Sequence, residues 1–268
     1  MHSVIFALLS AVNATKDIAY AADAVEKHRL DVYAPAGAHN APVLLFVHGG
    51  GFVEGDRRDY NGVGTALAAA GIVAVLPSYR LYPQADARGA AADVAAATVW
   101  TANHIATYGG NARGIIMGGH SAGAFLAALV ALDPEYLQAL GAAPSIVRGL
   151  IGFSGTYDVR DIDPEAAPPE RQLIGRYFGS SQETRAAASP ITYAAKLSPP
   201  VALFCGGVDD APACGQRDQF FAALVGAGAI VQMDADASAT HTSVISNLMR
   251  AGTPEQQTLL DFLRKYAR

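Results

Sequence analysis

Gly119-His120-Ser121-Ala122-Gly123 has the G-x-S-x-G spacing of a nucleophile elbow. Such an elbow turns sharply from strand to helix and lifts a serine hydroxyl clear of the backbone. Its glycines remove side chains that the turn could not hold. His48-Gly49-Gly50-Gly51-Phe52 is a second feature with chemical meaning. Successive glycines leave backbone N–H groups free to converge on one small volume, as acyl transfer requires where the oxyanion of a tetrahedral intermediate forms. Gly50, Gly51 and Ala122, the residue after the serine, are the candidate donors. No Lys-Ser/Thr follows these glycines and no G-x-G-x-x-G opens a helix, which argues against a phosphate cradle.

A serine hydroxyl is a weak nucleophile and needs a base, itself oriented by a carboxylate. Of the seven histidines only His241 lies C-terminal to Ser121, after an apolar run and the polar loop 234–240. Three carboxylates could orient it: Asp210 and Asp209 in Gly206-Gly207-Val208-Asp209-Asp210, and Asp158 after the run Gly149–Phe153. Spacing after the preceding strand favours Asp210. His48 and His120 sit inside the motifs, where they are expected to hold loops rather than transfer protons.

Positioning these groups requires a mainly parallel sheet. Val43–Val47 is a continuous apolar run of the kind buried on both faces of such a sheet, and Ile72–Leu76, Gly114–Met117, Gly149–Phe153, Val201–Cys205 and Ala229–Met233 are similar. Helix candidates alternate with them: Gly62–Ala70, Ala87–Thr107, Ala122–Leu132, Gln216–Gly226 and Pro254–Tyr266. Asp17–Ala21 and Glu26–Tyr33 are expected to pair antiparallel ahead of the parallel strands. The result is about eight strands in a single α/β domain over residues 1–268. Residues 158–190 form an excursion over the active-site end, with some short helix in it.

Composition agrees. Hydrophobic residues make up 51% and charged residues 16% of 268, and 54 residues are alanine, which suits tightly packed helices. The net charge of −5, with no Lys/Arg-rich stretch, argues against nucleic acid and membrane-surface partners. No apolar run reaches the ~18 residues of a membrane span. The acidic, low-charge surface permits a homodimer. Cys205 and Cys214 are expected as two free thiols in a reducing, cytoplasmic setting, and no Cys/His cluster has metal spacing. Val4–Val12 is a short apolar run with no preceding Lys or Arg. An amphipathic helix is expected there, with Ile5, Leu8, Leu9 and Val12 on one face, in preference to a short, atypical secretory signal over residues 1–14.

Taken in order, Arg29-Leu30-Asp31-Val32-Tyr33, HGGGF at 48–52 with Gly55-Asp56, Tyr79-Arg80-Leu81, Tyr108-Gly109-Gly110-Asn111, GHSAG at 119–123, Gly206–Asp210 and His241 resemble the α/β-hydrolase superfamily. Within it the chain is similar to the carboxylesterase branch with an HGGG loop, the hormone-sensitive-lipase-like and arylformamidase-like bacterial esterases. The resemblance runs from about Asp17 to the C-terminus. It implies an α/β-hydrolase fold with little or no cap. It implies Ser121 as nucleophile, Asp210 as acid and His241 as base, with Gly50, Gly51 and Ala122 taking the oxyanion, and Asp56 and Arg80 holding the loop under the glycines. The implied reaction is cofactor-free hydrolysis of small or short-acyl esters, in a pocket walled by Phe52, Tyr82 and side chains from 158–178. Arylformamidase-like cleavage of N-formyl aromatic amines uses the same triad, and a catalytically silent small-molecule receptor is the non-enzymatic alternative. Gly206 stands where relatives commonly carry histidine.

Overall fold

The computed structural model describes residues 11–161, 176–195, 197–208 and 211–267. Eight strands form one sheet in the order β1-β2-β4-β3-β5-β6-β7-β8. They are β1 Val12–Ala19, β2 Arg29–Pro35, β3 Ala41–Val47, β4 Val73–Pro77, β5 Gly110–His120, β6 Val147–Phe153, β7 Val201–Gly206 and β8 Val231–Asp236. The pairs β1·β2 and β2·β4 are antiparallel, and β3 through β8 pair in parallel with β4 beside β3.

Period-two alternation explains why the central runs are apolar throughout. Val43, Leu45 and Val47 of β3 join the core on one face of the sheet, whereas Leu44 and Phe46 join the core on the other. The first face is covered by α2 Ala87–His104, α3 Ala122–Leu132 and the helix Ala211–Gly226. The second is covered by α1 Asn61–Ala69 and by the helices Ser243–Leu248 and Pro254–Tyr266. The short α4 Pro134–Gln138 follows α3, and α5 Gln182–Ala188 begins at a capping box between Ser181 and Thr184. In chain order the three later helices are α6 Ala211–Gly226, α7 Ser243–Leu248 and α8 Pro254–Tyr266.

Three sequence expectations change. The first strand begins at Val12, not Asp17, and is a largely exposed edge, so it carries no apolar alternation to read. Val12 therefore opens β1 rather than closing a helix, while residues 1–10 lie outside the described residues. A register shift between Thr15 and Ile18 puts Asp17 at φ 60°, where its N–H donates to Asp31. The two cysteines are not free thiols. Cys205 near the end of β7 and Cys214 in the first turn of α6 form a disulfide across a Cα–Cα distance of 5.5 Å. The strand-to-helix turn folds α6 back over the end of β7, which brings together thiols nine positions apart. Of the 158–190 excursion, residues 162–175 lie outside the described residues. Among the described residues no helix is long and apolar enough to cross a membrane.

Candidate active site

Strand β5 ends at His120 and α3 begins at Ala122, so Ser121 alone makes the turn, at φ 53° and ψ −121°. Backbone strain of this kind costs of order 1–3 kcal/mol and persists only where the surroundings enforce it. They do so here. The Ser121 N–H continues the sheet by donating to Phe153 O at 2.9 Å, while Ser121 O accepts from Phe125 N–H at 3.2 Å inside α3. Ser121 occupies the N-cap of α3, yet its hydroxyl makes no capping bond. The motif glycines have local causes. A Cβ on Gly119 would stand 2.4 Å from the Gly123 carbonyl carbon, and one on Gly123 would stand 2.1 Å from Val47 O. Helix α3 thus lies against the end of β3 at a separation that only glycine allows.

The glycine turn leaves the end of β3 beside the elbow. Gly50 adopts φ 124° and its carbonyl accepts from the N–H of Val53 and of Glu54, at 3.1 and 3.0 Å. Gly51 follows at φ 57° with open space where a Cβ would be. Ala122 sits at the first position of α3, where backbone N–H groups have no intrahelical acceptor. Beneath the turn, Asp56 accepts from Lys27 Nζ at 3.0 Å and Ser78 Oγ at 3.2 Å, and Lys27 also reaches Gly55 O. Burial pulls the Asp56 pKa up, but hydrogen bonds from Arg58 and Lys27 outweigh it and hold the carboxyl well below the usual range. Arg80 lies elsewhere than under the glycines. It forms a paired contact with Asp93 of α2, at 2.9 and 2.7 Å, and so ties the exit of β4 to that helix.

Both motif histidines are buried and neutral. Burial pushes the pKa of each down to about 4. His48 Nδ1–H donates to Gly49 O at 2.7 Å, and its ring stacks on Tyr79 at 4.3 Å. His120 meets the His241 loop directly: its Nε2 lies 2.8 Å from His241 O, and the two rings are 4.9 Å apart. His241 is therefore held next to the residue that precedes Ser121.

The strand β7 ends in a segment packed against the same loop. Gly207 N–H donates to Asp236 O and Val208 N–H to Ala239 O, at 2.9 and 3.0 Å. A Cβ on Gly206 would stand 2.7 Å from the carbonyl oxygens of both Ala239 and Thr240. Any side chain at 206 would thus collide with the backbone of this loop. Asp209 and Asp210 follow at once in sequence but lie outside the described residues. Asp158 is committed elsewhere: Arg160 grips it at 2.9 and 2.5 Å and lowers its pKa.

Of the two expected substrate contacts, Phe52 is 9% exposed and packs into an aromatic cluster with Phe125, Tyr177 and Phe178, at ring separations of 4.5–5.4 Å. Tyr82 donates its N–H to Phe52 O at 2.9 Å. It lines a cavity of about 620 Å³ with Val53 and Leu81, on the flank of the glycine turn. Sequence reasoning missed Tyr60, whose hydroxyl accepts from Gly49 N–H and contacts His120. A tyrosine outside any motif offers no signal for such a role.

The BD-FAE family model matches residues 30–224. Isoprenylcysteine alpha-carbonyl methylesterase ICME of Arabidopsis thaliana is 28% identical over 85% of this chain and 57% of its own length. Esterase LipQ of Mycobacterium tuberculosis is 31% identical over 80% of this chain and 53% of its own. The chain thus spans little more than half the length of these relatives. Among solved structures, esterase B from Lactobacillus rhamnosis superposes with a TM-score of 0.79 at 21% identity, covering 95% of this chain and 84% of that one. A truncated carbohydrate esterase from gut microbiota gives 0.79 at 19% identity, covering 96% of each. The fold is that of the α/β-hydrolases, and the chain belongs to the BD-FAE family within the α/β-hydrolase carboxylesterases.

Proposed function

We propose that this chain hydrolyses small or short-acyl carboxylic esters through Ser121, His241 and Asp210. The observation that carries the proposal is the single-residue turn at Ser121, strained and uncapped, with the His241 loop held against His120. In the reaction His241 takes the Ser121 proton as the oxygen attacks the ester carbonyl, and the alkoxide leaves with that proton as an alcohol. The acyl-enzyme is then cleaved by water, which His241 deprotonates. Backbone N–H groups of Gly50, Gly51 and Ala122 receive the oxyanion in both steps. Asp210 orients the imidazole and stabilises its cation. Its assignment is supported by the contact between 206–208 and the His241 loop, and by the commitment of Asp158 to Arg160.

A small acyl group is favoured because Phe52, Phe125, Tyr177 and Phe178 already fill the space beside α3. The Ser121→Ala variant should lose p-nitrophenyl acetate hydrolysis by several orders of magnitude with an unchanged melting profile. Full activity in that variant would overturn the proposal.

A further inference from the structure

Resting on that triad, we propose that Tyr60 and His120 form a directional hydrogen-bond relay that sets the oxyanion turn, the nucleophile and the base in register, and that both are positioning residues for the hydrolysis. Three contacts define it. Gly49 N–H donates to Tyr60 Oη at 3.0 Å, Tyr60 Oη lies 3.0 Å from His120 Nδ1, and His120 Nε2 lies 2.8 Å from His241 O.

The directions follow from chemistry. A carbonyl oxygen only accepts, so Nε2 of His120 carries the hydrogen. A neutral imidazole then offers Nδ1 as an acceptor, so the Tyr60 hydroxyl donates to Nδ1 while accepting from Gly49. Every member is thereby used once in each sense available to it. Burial of His120 disfavours its cation and keeps the ring neutral at neutral pH, while the His241 carbonyl selects the Nε2–H tautomer.

The relay touches three separate segments. Gly49 precedes the candidate oxyanion donors Gly50 and Gly51. His120 precedes Ser121, and the carbonyl that receives the last bond belongs to His241. Space around it is tight: a Cβ on Gly49 would lie 3.0 Å from His120 O, 3.1 Å from His120 Nδ1 and 3.2 Å from Tyr60 Oη. The Tyr60 ring also packs against Phe46, with rings 5.8 Å apart. A low-dielectric site strengthens such linked bonds and raises the cost of leaving one end unmet. Loss of the relay would let the three loops relax independently, and misplacement of reacting groups by ~1 Å can cost about 100-fold in rate.

The test is steady-state kinetics on a short ester with Tyr60→Phe, His120→Leu and His120→Gln. Tyr60→Phe keeps the ring and removes only the hydroxyl, so it should fold even where His120→Leu does not. Its kcat should fall about 10-fold with KM within twofold. His120→Leu should fall further. His120→Gln, which can restore a donor to His241 O, should recover most of the loss. In ¹⁵N-histidine NMR of the full chain, His120 should be the neutral Nε2–H tautomer, and its Nδ1 resonance should move in Tyr60→Phe. A kcat within twofold of wild type in Tyr60→Phe, a loss confined to KM, or an Nδ1–H tautomer at His120 would each overturn the relay. Failure of a fluorophosphonate to label wild-type Ser121 would instead overturn the triad, while leaving the NMR result to judge the relay.

Discussion

At the scale of single residues, the site is written in what glycine permits. Gly123 and Gly51 both belong to motifs, but the structure gives them different burdens. An alanine at 123 would drive its Cβ to 2.1 Å from Val47 O, so Gly123→Ala should destabilise the fold by about 3 kcal/mol or more, read from urea unfolding. Gly51 has open space and only its φ of 57° against substitution, so Gly51→Ala should cost about 1–2 kcal/mol and still fold. Equal losses at the two positions would show that crowding is not what distinguishes them. The residues with a fixed spacing, Ser121 and the glycines around it, were legible in the sequence because the turn dictates their types. Tyr60 was not, because its role depends on where a side chain at the end of the short 3-10 helix Arg57–Tyr60 points in space, and no spacing encodes that.

At the scale of elements, apolar strands and alanine-rich helices were readable to within a few residues, and α3 and α8 were read to their ends. The start of the edge strand β1 was not, because its exposed residues carry no apolar alternation, and neither were the short helices α4 and α7, whose five and six residues carry too little periodicity. The disulfide was also missed. Its closure depends on α6 doubling back over β7, which local sequence does not announce. By the chain-entropy argument a bridge closing so short a loop stabilises the protein by about 2–3 kcal/mol. Dithiothreitol should therefore lower the melting temperature by about 5–10 °C, with no free thiol detected before reduction and two after it. A thiol count of two in the untreated, denatured protein would remove the bridge from this account. The reducing setting was expected on the ground of two free thiols, and the bridge removes that ground.

At the scale of the whole molecule, the buried histidines couple stability to acidity. His48 and His120 titrate near 4 when folded and near 6.5 when unfolded, so between those values the unfolded chain binds more protons. Stability conferred by keeping them neutral is complete above about pH 6.5 and is lost progressively as the pH falls towards 4, by roughly a few kcal/mol in all. Below that window Asp56, whose folded pKa is depressed, adds its own loss as its ion pairs are neutralised. Urea midpoints at pH 8, 6, 5 and 4 should fall steadily, and His48→Gln should flatten the slope. A midpoint constant from pH 8 to pH 4 would contradict this assignment.

The strand order has a consequence in time as well as in space. The glycine turn follows β3 and Ser121 follows its neighbour β5, whereas His241 waits for the loop after β8, at the far edge of the sheet. A ribosome adding ~5–20 residues per second needs roughly 6–24 s to travel from Ser121 to His241. For that interval the nascent chain carries Ser121 without His241, so on the proposed triad the order of synthesis withholds the base until the last strand has been made.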